Sequence, residues 1–252
     1  LELLDFARGV KVAGPRFTFL KGLGARLERS LLNFFLDSNI QAGYKELMAP
    51  YMANSKSFYG TGNLPKFGDQ MFKVQDTDYY LIPTAEVPVT NYHSDEILDE
   101  STLPLRYCCF TPCFRSEAGA AGRDTRGYIR MHQFHKVELV KFVPPALSGA
   151  EHESLVAQAE SLLRALKLPY RTVICCTGDM GANQAKQYDI EVWMPSYSRY
   201  VEASSCSNYT DYQARRAGIR YRPENGGKNE YLHTINGSAL PGARLVSAVL
   251  EN

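Results

Sequence analysis

The sequence predicts an α+β fold, a mainly antiparallel β-sheet flanked by helices. Strand-like runs follow one another at hairpin-length connections, as in Leu105 to Phe114 and Tyr128 to Val140. Helical patterns are too few to supply the crossovers of a doubly wound parallel sheet. A length of 252 residues with 44% hydrophobic content suits one large domain or two small ones with a sizeable core.

The elements follow from periodicity and punctuation. Phe19, Leu23, Leu27, Leu31, Phe34 and Phe35 recur at helical spacing, so Phe17 to Asn39 is expected to be a long amphipathic helix. Tyr44 to Pro50 reads as a short strand stopped by proline. Ser57 to Phe67 is turn-rich and reads as a loop. Met71 to Ile82 alternates like a hairpin, and Pro83 to Asn91 reads as a loop entering a helix. Leu105 to Phe114 is a strand rich in aromatics and cysteine. Val143 to Gly149 is a proline-containing linker. Leu155, Ala159, Leu162, Leu163 and Leu166 share one side of a helix from Ala150 to Leu166. Tyr170 to Cys176, Tyr188 to Met194 and Tyr200 to Ser207 are strands. Tyr212 to Ile219 is a turn or short helix. Glu230 to Ile235 is a strand, Asn236 to Gly242 a loop, and Ala243 to Glu251 a helix.

Composition excludes several classes. A net charge of +1 gives no bulk attraction for nucleic acid or anionic membrane, so any basic patch is local. No apolar run is long enough for a transmembrane helix. The six cysteines form no C-x-x-C pair and fit neither a zinc knuckle nor a disulfide framework, so buried thiols in a reducing compartment are expected. The five histidines show no H-E-x-x-H, which argues against a protein metal cage. The chain opens at Leu1 without methionine, as a processed or trimmed product would.

Chemistry concentrates between Phe114 and Val140, where four arginines, three carboxylates and Phe134 lie between two strand-like runs. Arg115 and Glu117, two apart in a strand, point to one face. Arg130, Phe134, Lys136 and Glu138 share the even face of the return strand, and the glycines of Ala118 to Gly127 mark the connecting loop. Guanidinium groups, a stacking ring and carboxylates around one small volume suit a ligand with phosphates, a flat base and an ammonium group. A surface hairpin laced with salt bridges is the plainer reading, and same-face alternation weighs against it. The segment resembles motif 2 of class II aminoacyl-tRNA synthetases, in the wording of the bacterial and organellar seryl-tRNA synthetase family.

That resemblance runs from about Phe17 to Asn252 and includes the three class II motifs in order. It implies the class II synthetase fold over 1–252 as one catalytic domain. Its members normally begin with a long coiled-coil arm that holds tRNA, and this chain starts where the catalytic domain would. By resemblance, the first helix and strand are motif 1 and a homodimer interface; packing on the chain's own sheet is the alternative. Arg115 would bridge the amino-acid carboxylate and the ATP α-phosphate, stabilising charge that builds on phosphorus oxygens. Ser116 and Glu117 would bind ATP, Glu117 accepting from the adenine amine. Phe134 offers a face to adenine, with core packing as the alternative, and Arg130 meets phosphate. Glu138 would accept the serine hydroxyl, or else form a buried ion pair with Lys136 or a neighbour; a buried carboxylate needs a partner.

Thr84-Ala85-Glu86 follows Pro83. Read from the residues, it is a helix-capping signature or a clasp for an ammonium group; the resemblance makes it part of the serine site. Asp189 to Met194 alternates acidic and apolar residues, a half-buried strand whose acidic face reads as solvated. Glu202-Ala203-Ser204-Ser205 resembles the family's ATP-binding motif, with Glu202 and Ser205 holding Mg²⁺ on ATP phosphates. The family usually has arginine before this glutamate; here the position is Val201, so a phosphate contact is lost. Asn236-Gly237-Ser238 alone reads as a turn before a helix. By resemblance, Asn236 and Ser238 face serine and Arg244 the γ-phosphate. Ala239 to Ala243 departs from the family's usual small-residue run and is expected to shift the helix start.

Three functional readings stand at this level. The first is serine activation by ATP and transfer to tRNA(Ser), in the cytoplasm or the mitochondrial matrix. The second is serine activation for a non-tRNA acceptor such as a carrier protein. The third is a non-catalytic paralogue that keeps the fold. Retention of Arg115, Glu117, Glu138, Glu202 and Arg244 weighs against the third.

Overall fold

The computed structural model describes residues 2–117 and 127–252. The connecting loop expected at Ala118 to Gly127 lies, up to residue 126, outside the described residues.

Strand β1 (Leu4–Asp5) leads into helix α1 (Phe6–Ala13) and pairs with β2 (Phe19–Leu20). That small ladder claims Phe19 and Leu20, so the first long helix, α2, spans Leu23–Gln41 rather than starting at Phe17. Leu31, Leu32 and Phe35 bury its inner face. Strand β3 (Lys45–Leu47) follows, then β4 (Met52–Asn54). The expected loop at Ser57 to Phe67 is instead opened by helix α3 (Ser55–Thr61). Asn54 caps it by accepting from the Ser57 amide at 3.0 Å, and Gly62 ends it in the left-handed conformation. The cap lies before the turn-rich run, so the run itself carries no sign of the helix start.

The expected hairpin at Met71 to Ile82 is only partly formed. Lys73 makes a single bridge with Tyr80, while strand β5 (Tyr79–Leu81) takes β4 as its ladder partner. Helix α4 (Glu86–Thr90) and strand β6 (Ile97–Asp99) lead to β7 (Leu105–Phe114). Strand β8 spans Gln133–Val143, and its register with β7 runs from Leu105↔Phe142 to Phe114↔Gln133. The hairpin pairing is as expected, but the return strand begins at Gln133 rather than Tyr128, and Arg130 precedes it. Val143 to Gly149 is less of a linker than expected, because helix α5 (Ser148–Ala165) already begins at Ser148.

Strands β9 (Tyr170–Ile174), β10 (Lys186–Met194) and β11 (Arg199–Asn208) form an antiparallel run. Helix α6 (Tyr212–Ala217) and the short strands β12 (Arg220–Arg222) and β13 (Glu230–Tyr231) precede β14 (His233–Pro241) and helix α7 (Gly242–Glu251). Asn236 to Gly242 is therefore not a loop: nearly all of it is central strand. A Cβ on Gly237 would lie 2.7 Å from Leu155 Cδ2 and 2.9 Å from Cys206 Sγ. The glycine of the N-G-S triplet serves the close approach of α5 to the sheet, not a turn.

The main sheet has the order β3-β7-β8-β14-β11-β10-β9 and is antiparallel except for β3 against β7. One face packs on α2, α5 and α7 through Leu139, Val143, Leu155, Leu163 and Leu245. On the other, Val140 and Phe142 pack with Ala85, Val89 and Ala214 of the α4 and α6 region. Strands β11 and β14 are paired only from Cys206↔Gly237 to Asn208↔Ile235. Beyond that point no ladder joins them, and Ser204 Oγ donates to Ser238 O at 2.7 Å across the join. No helix among the described residues is long and apolar enough to cross a membrane.

Candidate active site

Where the β11–β14 ladder ends, a cavity of about 310 Å³ opens on the sheet. The β7–β8 hairpin supplies Arg115, Glu117, Arg130, Phe134, Lys136 and Glu138 to its wall. The segment before α4 supplies Thr84 and Glu86, β11 supplies Glu202, Ala203 and Ser205, and β14 with α7 supplies Asn236, Ser238 and Arg244. Residues far apart in sequence meet because the strands that carry them are neighbours in the sheet.

One group of side chains is tightly packed. The Lys136 ammonium contacts Glu138 Oε2 and donates to Thr84 Oγ1 at 3.0 Å. The Thr84 hydroxyl donates to the same Glu138 oxygen at 3.3 Å and accepts from the Glu86 amide at 3.2 Å. Thr84 thus accepts from the first amide of α4, whose cap position is Ala85, and lines the cavity as well. Glu138 has the ion-pair partner that burial demanded. Burial and the neighbouring Glu138 push the Glu86 carboxyl up, against hydrogen bonding from Gln213, whose Nε2 donates to Glu86 Oε1 at 2.6 Å. The Asn236 amide lies beside Glu86, yet its buried Nδ2 makes no well-formed hydrogen bond. A buried donor with no well-formed bond at a cavity wall is open to a ligand or an ordered water.

The second group is more open. Arg130 Nε donates to Glu117 Oε2 at 2.5 Å. Arg244 Nη1 donates to Glu202 O at 2.6 Å and lies 3.5 Å from Glu202 Oε1. Helix α7 begins at Gly242, one residue before the expected start, and Arg244 still reaches the cavity. Val201, where an arginine was the family's usual residue, packs against the core. Glu202 and Ser205 present only oxygen donors, and Glu202 is half-exposed. Such a set suits magnesium, which takes one or two carboxylates and completes its shell with phosphate and water. No group of three or more His, Cys, Asp or Glu among the described residues could cage a metal unaided.

Arg115 stands at the junction of the two groups. Its Nε donates to Pro83 O at 3.2 Å, next to Thr84, and its guanidinium lies 5.2 Å from the Phe134 ring centroid. Among the described residues its other donors have no hydrogen-bond partner, and they stand where they could bridge ligands on either side.

Three expected residues do not line the cavity. Ala85 packs in the core with Tyr107 and Val140. The Ser116 hydroxyl donates to Asp69 O at 2.8 Å. Ser204 is buried and alternates with Ser205 to the opposite face, as period 2 requires. Conversely, Gln184, Ser207 and Tyr209 line the cavity without having been foreseen. Ser207 and Tyr209 continue the alternation of Ser205, a signal that was legible; Gln184 sits in a loop and gave none. Asp189, expected to be solvated, is half-buried opposite Ser205, and burial with the nearby Glu202 pushes its carboxyl up. Cys175 hydrogen-bonds to it, and burial pushes that thiol up to about 12. All six cysteines are free; Cys108, Cys109, Cys113 and Cys206 are buried as expected, but Cys175 is half-buried and Cys176 is exposed, so burial does not hold for the adjacent pair that follows β9.

The model of the class II tRNA synthetase core domain (G, H, P, S and T) matches residues 71–252. The chain belongs to that family. Among curated relatives it is 62% identical over 252 residues to a serine--tRNA ligase of Halothermothrix orenii and 60% identical to one of Alkaliphilus oremlandii. Each match covers the whole of this chain and 60% of the relative, so the chain spans about three-fifths of their length. Among solved structures, the seryl-tRNA synthetase of Pyrococcus horikoshii complexed with ATP superposes with a TM-score of 0.96 at 46% identity. That match covers 99% of this chain and 56% of the other. The cytoplasmic serine-tRNA ligase of Naegleria fowleri in complex with AMP matches with a TM-score of 0.93 at 33% identity, covering 99% and 59%. Class II core members thus share this chain's mainly antiparallel sheet, flanked by helices.

Proposed function

We propose that the chain is the catalytic domain of a cytoplasmic enzyme that activates L-serine with ATP and transfers it to tRNA(Ser). In the first step a serine carboxylate oxygen attacks the α-phosphorus, a P–O bond forms, and pyrophosphate leaves. In the second, a hydroxyl of the terminal adenosine of tRNA takes the acyl carbon and AMP leaves. The observation that carries this reading is the position of Arg115 between a compact polar group and an open group rich in cations. Both reactants of the first step are anions that repel, and a guanidinium fixed between them lowers that repulsion as charge builds. No side-chain nucleophile is needed; positioning and electrostatics carry the rate.

Glu86 and Glu138 suit the serine ammonium and hydroxyl, and the unpartnered Asn236 amide suits an acceptor on the substrate. Phe134 suits adenine once Arg115 turns from its ring to the substrates, and Arg130 and Arg244 suit phosphates. Glu202 and Ser205 would hold magnesium, which when bound would supply positive charge to the phosphate oxygens. Support for serine and ATP also comes from the relatives' names and from the ATP complex of the archaeal neighbour.

A homodimer through α2 and β3 belongs to the same proposal. The inner face of α2 packs on its own sheet, but Leu23, Ile40 and Met48 at the ends of this unit are exposed, Met48 by 91%. Sedimentation should give twice the chain mass, and a monomer at micromolar concentration would remove this part.

The deciding experiment is ATP–pyrophosphate exchange with serine, threonine, alanine and glycine in turn, without tRNA. Exchange with serine alone is the expected result, followed by serine incorporation into tRNA. Exchange without incorporation would point to another acceptor, and no exchange in folded protein would overturn the proposal.

A further inference from the structure

The Lys136 ammonium occupies a position that the activation reading leaves without a task. It is buried in the wall of the cavity, against the same carboxylate and hydroxyl that would receive the amino acid. The bonds from Lys136 and Thr84 both converge on Glu138 Oε2, which leaves Oε1 as the oxygen for a ligand. Thr84 is saturated as well, with one bond donated and two accepted. Neither group can rotate without breaking the other's bonds.

Charge tells the same story. The titratable side chains lining this end of the cavity are Glu86, Glu138, Lys136 and Tyr209, with Arg115 at the junction, and the buried Cys113 thiol lies near Lys136 without lining it. Burial pushes Tyr209 and Cys113 up, so both are neutral. Counted at their formal charges, two carboxylates and one ammonium leave a single negative charge, the complement of one substrate ammonium. Arg115 is left for the substrate carboxylate. Without Lys136 the Glu138 carboxylate would lose its ion pair and stand beside Glu86 held only by the Thr84 hydroxyl.

We propose that Lys136 is a positioning residue for amino-acid selection: clamped between Glu138 and Thr84, it holds the Glu138 carboxylate in the orientation that reads a substrate hydroxyl and sets the pocket's charge to match one ammonium. The inference rests on the serine-activation reading and deepens it. A site built to hydrogen-bond a substrate hydroxyl rejects an analogue that lacks it far more strongly than a pocket that judges size alone. Lys136 therefore acts on the choice between serine and alanine rather than on ATP.

The test uses Lys136→Met, Glu138→Gln and the double variant in the intact protein. Serine and alanine binding are followed by calorimetry, and exchange kinetics with each amino acid in parallel. Lys136→Met is expected to raise the KM for serine by roughly tenfold or more, to leave the KM for ATP unchanged, and to lower the serine-to-alanine preference to that of Glu138→Gln. In the serine-to-alanine preference the double variant is expected to match Glu138→Gln alone, because Lys136 reads the hydroxyl only through Glu138. The double variant removes both members of the buried Lys136–Glu138 pair, so the comparison survives if Lys136→Met fails to fold. A preserved serine-to-alanine preference in Lys136→Met, or additive losses in the double variant, would overturn the inference and leave serine activation standing. Wild-type protein that binds no serine would overturn both.

Discussion

Lys136 and Lys141 lie five residues apart on β8, on opposite faces of the main sheet, and both are buried beside a glutamate. Lys141 is fully enclosed. Its ammonium donates to Glu151 Oε2 at 2.8 Å, Glu151 O at 2.9 Å and Ser154 Oγ at 2.8 Å, and Arg106 contacts the same carboxylate. Every donor is filled from α5, and nothing is left for a ligand. Lys136 has a carboxylate and a hydroxyl, and it faces a cavity whose other carboxylate, Glu86, and amide, Asn236, are incompletely matched. A saturated buried ion pair fastens one element to another; an unsaturated one beside a cavity is a receptor.

The comparison can be broken at several points. The largest effect on stability should be on the closed side: Lys141→Met leaves half-buried Glu151 with Arg106 as its one remaining cation, at a cost of about 1.5–3 kcal/mol. Denaturant unfolding should show it, with exchange activity per folded molecule retained. On the open side, Arg115→Ala should reduce serine-dependent exchange by roughly 10²–10³-fold with an unchanged unfolding midpoint. If Arg115→Ala mainly destabilised and Lys141→Met mainly inactivated, the two faces would have been assigned the wrong way round.

Titration separates the faces in sign. Burial pushes Glu151 up, but hydrogen bonds from Arg106 and Lys141 outweigh it and hold the carboxyl below the usual range. Its stabilisation is present above the unfolded glutamate value and is lost as pH falls through the folded one. Glu86 is raised, so the folded state holds its proton more tightly than the unfolded chain. Its contribution is least favourable above the folded pKa and improves as pH falls. Unfolding midpoints against pH should therefore show Glu151→Gln removing acid sensitivity and Glu86→Gln removing a loss of stability at higher pH. The same sign for both would deny the contrast. The smallest effect belongs to the solvent side of α5, where Arg164→Ala, which removes the i,i+4 contact with Glu160, should change stability by only about 0.3–0.5 kcal/mol.

The hairpin was legible because period 2 survives burial: Phe134, Lys136 and Glu138 share a face in any strand of either register partner. For the same reason Ser205 and Ser207 could be read together. The α3 helix was missed because Gly60 and Gly62 resemble turn punctuation and its cap, Asn54, precedes the run they punctuate. The N-G-S triplet was misjudged because glycine has two uses, and only the packing of Leu155 on Gly237 shows which applies.

By itself the sequence determined the α+β class, the pairing of the motif 2 strands and the shared face of Phe134, Lys136 and Glu138, since these follow from local periodicity; Thr84, Glu86, Glu202, Ser205, Asn236, Ser238 and Arg244 were expected at the cavity only through the family resemblance. The tertiary structure decided the rest. It showed that β11 and β14 part after Cys206↔Gly237, that Arg115 stands between two groups, and that the lysines of β8 have different tasks. Those facts depend on which strands become neighbours and on which donors are already filled, and both are settled by contacts between segments distant along the chain.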